Sequence, residues 1–209
     1  MARYVHFEGM DLAGKSTATR LFAEASGINW AVRRNSLDPD NPLFLLADSL
    51  RRDDAYSAET LGNLYVAALM ADIERYEQPE VDTIQDSTIL LRSLAYHTVN
   101  RTPRVADALQ GLIPSHPQFD RSFVFTASIE SRQGRLQERM RNNPEEVAPD
   151  DLMVLRKPEK FMAMETCLVD LAQTAFHATV IDTTELNPAE VCGRIMDEVY
   201  GANGPAGNV

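Results

Sequence analysis

The sequence predicts an α/β protein in which a mostly parallel sheet is covered by helices on both faces. Short runs rich in β-branched and aromatic residues alternate along the chain with longer runs of helical periodicity. Parallel neighbours need such crossovers, because a short hairpin joins only antiparallel strands. The 209 residues are 44% hydrophobic, which is enough for one sizeable core. We therefore expect a single domain over residues 1–200, followed by a flexible tail at 201–209.

The strand-like segments are short and dominated by β-branched, aromatic or other apolar residues. They are 4–8, 30–33, 81–86, 123–127 and 179–182. The helical segments carry apolar residues three and four positions apart, as the buried face of a helix requires. They are 15–25, 57–77, 90–99, 105–112, 131–141, 158–176 and 188–200. Ser57 and Pro188 support two of the helix starts, since serine caps a helix and proline is tolerated in its first turn.

The charge balance limits the partners of this protein. Thirty-one Asp and Glu against twenty Lys and Arg give a net charge of −11. Such a surface repels nucleic acids and anionic membranes, whereas a small anionic ligand needs only one positive pocket. Cys167 and Cys192 form no metal-type spacing and are expected to be reduced thiols. The chain also lacks a leader pattern and a long apolar run, so we expect a soluble, cytoplasmic protein.

One motif points to phosphate chemistry. The run Gly9-Met10-Asp11-Leu12-Ala13-Gly14-Lys15-Ser16 fits the pattern G-x-x-x-x-G-K-[ST], and it lies between a predicted strand and a predicted helix. The glycines let the loop fold back so that its N–H groups, with the helix N-terminus, surround phosphate oxygens. The Lys15 ammonium would contact the β- and γ-phosphates, and the Ser16 hydroxyl would bind Mg²⁺. The pattern therefore predicts a P-loop.

At these residues the chain resembles thymidylate kinases and their nucleoside-kinase relatives. The run from Phe7 and Glu8 through Thr17 is similar to the first strand and P-loop of that family. The likeness continues in chain order at 67–72, a helix of the acceptor site, at 93–97, which follows the third strand, and at 180–184, near the adenine. The resemblance implies a P-loop NTPase-type three-layer fold with a five-stranded parallel sheet and a helical lid at about 142–157.

The resemblance also implies a function. ATP and Mg²⁺ would be required, the γ-phosphate would pass to a nucleoside monophosphate, and the protein would form a homodimer. Lys15, Asp11 and Asp86 would act at the transferring phosphate, with Ser16 and Asp86 as metal ligands. Lid arginines would stabilise the transferring phosphoryl group, and further residues would contact ATP. The lid residues are Arg139 and Arg156, and the additional ATP contacts are Thr17, Arg135 and Asp182.

The acceptor side departs from the family pattern and leaves alternatives open. Asp86 is followed by Ser87 and Asp72 by Ile73, where the family has arginines, and a dianionic acceptor needs such partners. The substitutes considered are Arg33, Arg34, Arg75 and Arg92. Glu8 is either a substrate-side carboxylate or a buried hydrogen-bonded one. Asp86 could instead cap the next helix. Three functions therefore stay open. The protein phosphorylates a nucleoside monophosphate, phosphorylates a nucleoside or other unphosphorylated molecule, or binds nucleotide as a non-catalytic regulator.

Overall fold

Five parallel strands form the centre of the computed structural model, which describes residues 2–51 and 55–201. The predicted tail lies outside these residues from position 202 onward. The sheet order is β2-β3-β1-β4-β5, so β1 occupies the middle and the fold class predicted from the sequence is confirmed. The strands are β1 Tyr4–Gly9, β2 Ala31–Arg34, β3 Thr83–Asp86, β4 Arg121–Thr126 and β5 Thr179–Asp182.

Helices connect the strands and cover both faces of the sheet. They are α1 Lys15–Ser26, α2 Pro42–Arg51, α3 Ala58–Glu74, α4 Ile89–Val99, α5 Pro103–Leu112, α6 Ile129–Asn142, α7 Met153–Arg156, α8 Pro158–Phe176 and α9 Pro188–Tyr200. Short 3₁₀ turns lie at Ile113–Ser115 and Pro144–Glu146. Within the described ranges 2–51 and 55–201, no helix has the length and apolar character needed to cross a membrane.

The two faces of the sheet carry separate apolar clusters, because successive strand residues point to opposite sides. Phe7 and Phe125 face α1 and α9, where Phe22 and Ile195 complete one cluster. Val124 belongs to the other cluster, which α3, α4, α5 and α8 build from leucines and aromatic residues. Since all five strands run the same way, their carboxyl ends meet at one edge of the sheet, where the P-loop also lies.

Two helices illustrate where the structure departs from the sequence prediction. Helix α2 was not predicted, because the prolines around it signal a loop. Pro42 occupies the first turn, where no N–H is needed, and the Asn41 side chain accepts hydrogen bonds from the next two free N–H groups. Helix α3 ends at Glu74, three residues before the predicted end at 77. Pro79 disfavours helical backbone just before it.

Candidate active site

The P-loop between β1 and α1 requires glycine at its first and sixth positions. Gly9 has a φ of 152° and Gly14 a φ of 86°, and Leu12 between them also takes a left-handed φ of 64°. A Cβ on Gly9 would lie 2.7 Å from the Phe125 carbonyl oxygen of neighbouring β4. The loop therefore turns sharply against the sheet, and α1 begins at Lys15 with its N-terminus at the loop. This is the geometry of an anion site.

Lys15 and Asp86 meet at the carboxyl edge of the sheet. The Lys15 ammonium donates a hydrogen bond to the Asp86 carboxylate, and both side chains are mostly buried. Asp86 lies at the end of β3, which pairs directly with β1, and this adjacency brings the two residues together. The exposed Arg34 has its Nε 3.9 Å from the second Asp86 oxygen. Two residues that are 71 positions apart in the chain thus share one small site.

The oxygen groups around this pair suit Mg²⁺. Ser16 and Thr17 are exposed in the first turn of α1, and the Asp11 side chain is partly exposed beside them. Hydroxyl and carboxylate oxygens are the ligands that Mg²⁺ prefers, and it commonly takes one or two of them together with substrate phosphates. Within residues 2–51 and 55–201, no group of three or more His, Cys, Asp or Glu side chains is arranged to hold a metal by itself.

Glu8 and Arg92 form a buried support beneath the P-loop. Glu8 is fully buried and accepts hydrogen bonds from the N–H groups of Gly9 and Thr88, each at 3.0 Å. Arg92 of α4 donates to Glu8 at 3.3 Å and to the Gly9 carbonyl at 2.7 Å. Burial alone would raise the pKa of Glu8, but His6, Arg92 and Lys15 outweigh it and lower that pKa to about 2. Glu8 is thus an ionised, hydrogen-bonded carboxylate inside the protein.

Two arginines of α6 donate hydrogen bonds to backbone carbonyls of the P-loop. Arg135 donates to the Leu12 carbonyl at 2.8 Å and to the Thr183 carbonyl at 2.7 Å. Arg132 donates to the carbonyls of Asp11 and Ala127, and it pairs with Glu165 of α8. Arg135 was predicted at the site, whereas Arg132 was missed. In sequence it is one of several arginines in a basic helix, and only the fold reveals that its side chain is fully buried.

The loop after β5 reaches the P-loop from the same side as α6. Thr183 is buried, accepts a hydrogen bond from Arg135 at 3.0 Å and contacts the Ala13 carbonyl at 2.9 Å through the same hydroxyl. Asp182 is exposed and accepts hydrogen bonds from the backbone N–H and the hydroxyl of Thr184. These bonds lower the pKa of Asp182. The structure thus brings the predicted ATP contacts Arg135 and Asp182 close to the loop.

The predicted lid follows α6 and contacts two helices. Arg139 donates to Asp151 at 2.9 Å, and the nearly buried Asp151 also accepts from the Ala148 N–H at 3.0 Å. Asp150 pairs at 2.7 Å with Arg51 of α2, which lies 99 residues earlier in the sequence. Arg139 therefore ties α6 to the predicted lid through Asp151, while Arg156 at the end of α7 is exposed, and the catalytic roles predicted for both arginines stay predictions.

The predicted acceptor side is built around Asp72 of α3. Its buried carboxylate accepts hydrogen bonds from the loop that joins β2 to α2, among them the Ser36 hydroxyl at 2.7 Å and the Leu37 N–H at 2.8 Å. Arg33 donates to the Leu37 carbonyl and lines a cavity of about 380 Å³ beside Arg75 and Tyr76. Arg33 and Arg34 therefore lie at different places. Arg33 lines this cavity, whereas Arg34 approaches Asp86.

Comparisons with known proteins establish the fold. No protein-family model matches the chain, and no curated protein matches it in sequence. Thymidylate kinase from Candida albicans superposes with a TM-score of 0.64 at 14% identity, covering 95% of this chain and 91% of that one. Deoxyadenosine kinase from M. mycoides with bound dATP gives 0.58 at 15% identity, covering 94% and 98%. Thymidylate kinase from Ehrlichia chaffeensis gives 0.57 at 16% identity, covering 95% and 98%. The chain thus has a thymidylate kinase-like P-loop fold, as the resemblance predicted.

Proposed function

We propose that this protein is an ATP-dependent kinase that phosphorylates a small nucleotide or nucleoside. The observation that carries the proposal is the pairing of the P-loop Lys15 with Asp86 at the carboxyl edge of the sheet, beside the basic helix α6. The likeness to thymidylate and deoxyadenosine kinase structures supports the same reaction class. Transfer needs two molecules held together, and the cavity lined by Arg33 and Arg75 would supply the second binding site.

The residues would act by position and charge. On ATP binding, Lys15 would exchange the Asp86 carboxylate for phosphate oxygens, and the N–H groups of the P-loop and α1 would surround the same phosphates. Ser16 and the released Asp86 would hold Mg²⁺, which when bound neutralises charge on the phosphate oxygens. Arg139 and Arg156 would stabilise the charge of the transferring group from the lid, and Arg135 would hold the loop in place.

The first candidate acceptor is a nucleoside monophosphate, in line with the thymidylate kinase-like fold. Its phosphate needs charge-assisted partners, and Arg34 is the exposed arginine closest to Asp86 in the described site. Arg33 and Arg75 offer two further guanidinium groups around the 380 Å³ cavity. Under this reading, the acceptor phosphate would lie between β2 and α3.

An unphosphorylated acceptor is the second candidate, and the pairing of the arginines favours it. Arg92 is occupied by Glu8 and the Gly9 carbonyl, Arg33 bonds to Leu37, and Arg75 lies 3.5 Å from Asp38. Binding an acceptor phosphate would have to break such contacts. A hydroxyl acceptor needs only a carboxylate to orient it and accept its proton, and under this reading Asp86 would take that role instead of binding Mg²⁺.

An ADP-release assay with ATP and Mg²⁺, run across nucleosides and nucleoside monophosphates, tests the proposal. We expect acceptor-dependent turnover that Lys15→Ala reduces by about a thousandfold or more, because the lysine charge acts on the transferring phosphate. Thermal unfolding of Lys15→Ala should show an intact fold. Turnover only with monophosphates supports the first acceptor, and turnover only with nucleosides supports the second. ATP binding without turnover on any acceptor would favour a nucleotide-binding regulator instead.

A further inference from the structure

Arg132 is the largest fully buried side chain in the described residues, and every arm of its guanidinium has a partner. Its Nε donates to the Ala127 carbonyl at 3.0 Å, one Nη donates to the Asp11 carbonyl in the P-loop, and the other pairs with Glu165. The guanidinium also lies over the Phe161 ring, 4.9 Å from its centre. One side chain therefore joins α6, α8 and the P-loop.

A buried ion pair of this kind is costly for folding. Taking two charges out of water is unfavourable, and well-packed apolar residues often replace such pairs without loss of stability. Burial lowers the pKa of Arg132 and raises that of Glu165, and their mutual attraction opposes both shifts. Stability alone therefore explains poorly why an arginine occupies this position. The hydrogen bond from Arg132 to the P-loop offers a second explanation.

The geometry of a peptide unit shows what that contact does. In a trans peptide the C=O of one residue and the N–H of the next point in opposite directions, and the described chain contains no cis peptide. Arg132 draws the Asp11 carbonyl toward α6, so the Leu12 N–H of the same peptide unit is turned to the opposite side. Leu12 has a left-handed φ of 64°, which is unfavourable for a leucine and needs such outside support.

We propose that Arg132, held in place by Glu165, is a positioning residue that orients the P-loop peptide between Asp11 and Leu12 toward the nucleotide phosphates. The proposal rests on the proposed function in that the P-loop binds a nucleoside triphosphate. It assigns Arg132 to ATP binding and not to the acceptor. Arg135 acts on the next peptide unit, through the Leu12 carbonyl, so the two arginines fix successive parts of the loop.

The decisive variant is the double substitution Arg132→Met with Glu165→Leu, which replaces the ion pair by apolar side chains of similar size. We expect the double variant to fold with at most a modest fall in melting temperature, since neither charge is left unpaired and only the hydrogen bonds to the Ala127 and Asp11 carbonyls are lost. Its dissociation constant for a fluorescent ATP analogue with Mg²⁺ should rise about tenfold or more, because the loop loses a charge-assisted hydrogen bond. Arg104→Met is the matched surface control, since the Arg104 side chain at the start of α5 is exposed, and it should change neither quantity.

Arg132→Lys decides the question if the double variant does not fold. The lysine keeps a positive charge against Glu165, but its single ammonium group cannot span the Ala127 and Asp11 carbonyls as the guanidinium does. We expect weaker ATP binding with the fold retained. Wild-type ATP affinity in either folded variant would overturn the proposal, because Arg132 would then serve packing or charge balance alone.

Failure of the proposed function gives a different result. If wild-type protein binds ATP but phosphorylates no acceptor in the panel, the transfer reaction is wrong, while the comparison of ATP affinities still decides the role of Arg132. If the wild type binds no ATP, both are wrong. Where turnover is found, the KM for ATP should rise in the double variant and the KM for the acceptor should not, which a general loosening of the fold would not produce.

Discussion

At the scale of single residues, Gly9 shows how closely the P-loop is fitted to the sheet. An added Cβ would lie 2.7 Å from the Phe125 carbonyl oxygen, and the φ of 152° disfavours any other residue. We expect Gly9→Ala to lower the free energy of unfolding by about 2–4 kcal/mol in urea titrations, because the strand must shift to relieve the contact. Gly111→Ala is the matched control, since a Cβ there meets nothing within 4 Å. It should stabilise α5 by about 0.5–1 kcal/mol, and equal losses in both variants would contradict the prediction.

His116 gives a prediction for pH dependence. It is buried among His6, Phe119 and Phe176, and burial lowers its pKa to about 4. Its Nδ1 bonds to the Pro117 carbonyl, while Nε2 has no partner within the described residues. The folded protein therefore keeps this ring neutral at pH values where the unfolded chain, with a pKa near 6.5, takes up a proton.

The sign follows from which state binds more protons. Below pH 6.5 the unfolded state gains the proton first, so His116 costs stability progressively as the pH falls from 6.5 to about 4. We expect His116→Phe to remove this loss, which amounts to about 3 kcal/mol by pH 4. Urea titrations of both proteins at pH 7, 5.5 and 4 measure this loss. The difference between their free energies of unfolding should change with pH. Parallel curves would show that the ring is protonated in the fold.

At the scale of elements, Asp72 fixes the loop between β2 and α2 to helix α3. Four groups of that loop donate to its buried carboxylate, from Ser36, Leu37, Asp38 and Asn41. Asp72→Ala leaves these donors without an acceptor, so we expect a loss of about 2–4 kcal/mol in unfolding free energy. The loop lies on the predicted acceptor side, and for this reason the KM for the acceptor should rise more than the KM for ATP.

The matched control for Asp72→Ala lies two residues later on the same helix. Glu74 is exposed at the end of α3, so Glu74→Ala removes a carboxylate without leaving buried donors unpaired. It should change stability by less than about 0.5 kcal/mol. A larger rise in the KM for ATP than for the acceptor in Asp72→Ala would contradict the placement of this loop.

The elements with strong local signals were predictable from the sequence, and those that depend on distant contacts were not. The P-loop, all five strands and helices such as α8 follow from composition and spacing, and the structure confirms them. Helix α2 was missed because Pro39 and Pro42 signal a loop and obscure the helical spacing of Leu43, Phe44 and Ala47. Arg132 was missed because its contacts are distant in sequence. Glu165 lies 33 residues after it, and Asp11 lies 121 residues before it. The roles predicted for Arg34, Arg139 and Arg156 stay predictions.

At the scale of the whole molecule, α6 connects the P-loop to the predicted lid. Its first half holds the loop through Arg132 and Arg135, and its last turn holds Asp151 through Arg139. The lid also reaches across to α2 through Asp150 and Arg51. A movement of segment 142–157 would therefore be transmitted to the P-loop through one helix and to α2 through an exposed ion pair.

The two lid aspartates should differ in how strongly they hold this segment. Asp151 is nearly buried and accepts from both the Arg139 guanidinium and the Ala148 N–H, whereas Asp150 is half exposed and water screens its pair with Arg51. We expect Asp151→Ala to speed cleavage by a glutamate-specific protease after the exposed Glu145 and Glu146 by about tenfold or more, because local opening becomes more frequent. Asp150→Ala should change the cleavage rate about twofold or less.

Two further results decide how the lid is held. If the lid closes on the nucleotide, ATP with Mg²⁺ should slow cleavage in the wild type and in both variants. Faster cleavage in Asp150→Ala than in Asp151→Ala would contradict the prediction, because the ion pair with α2 would then be the main restraint on the lid.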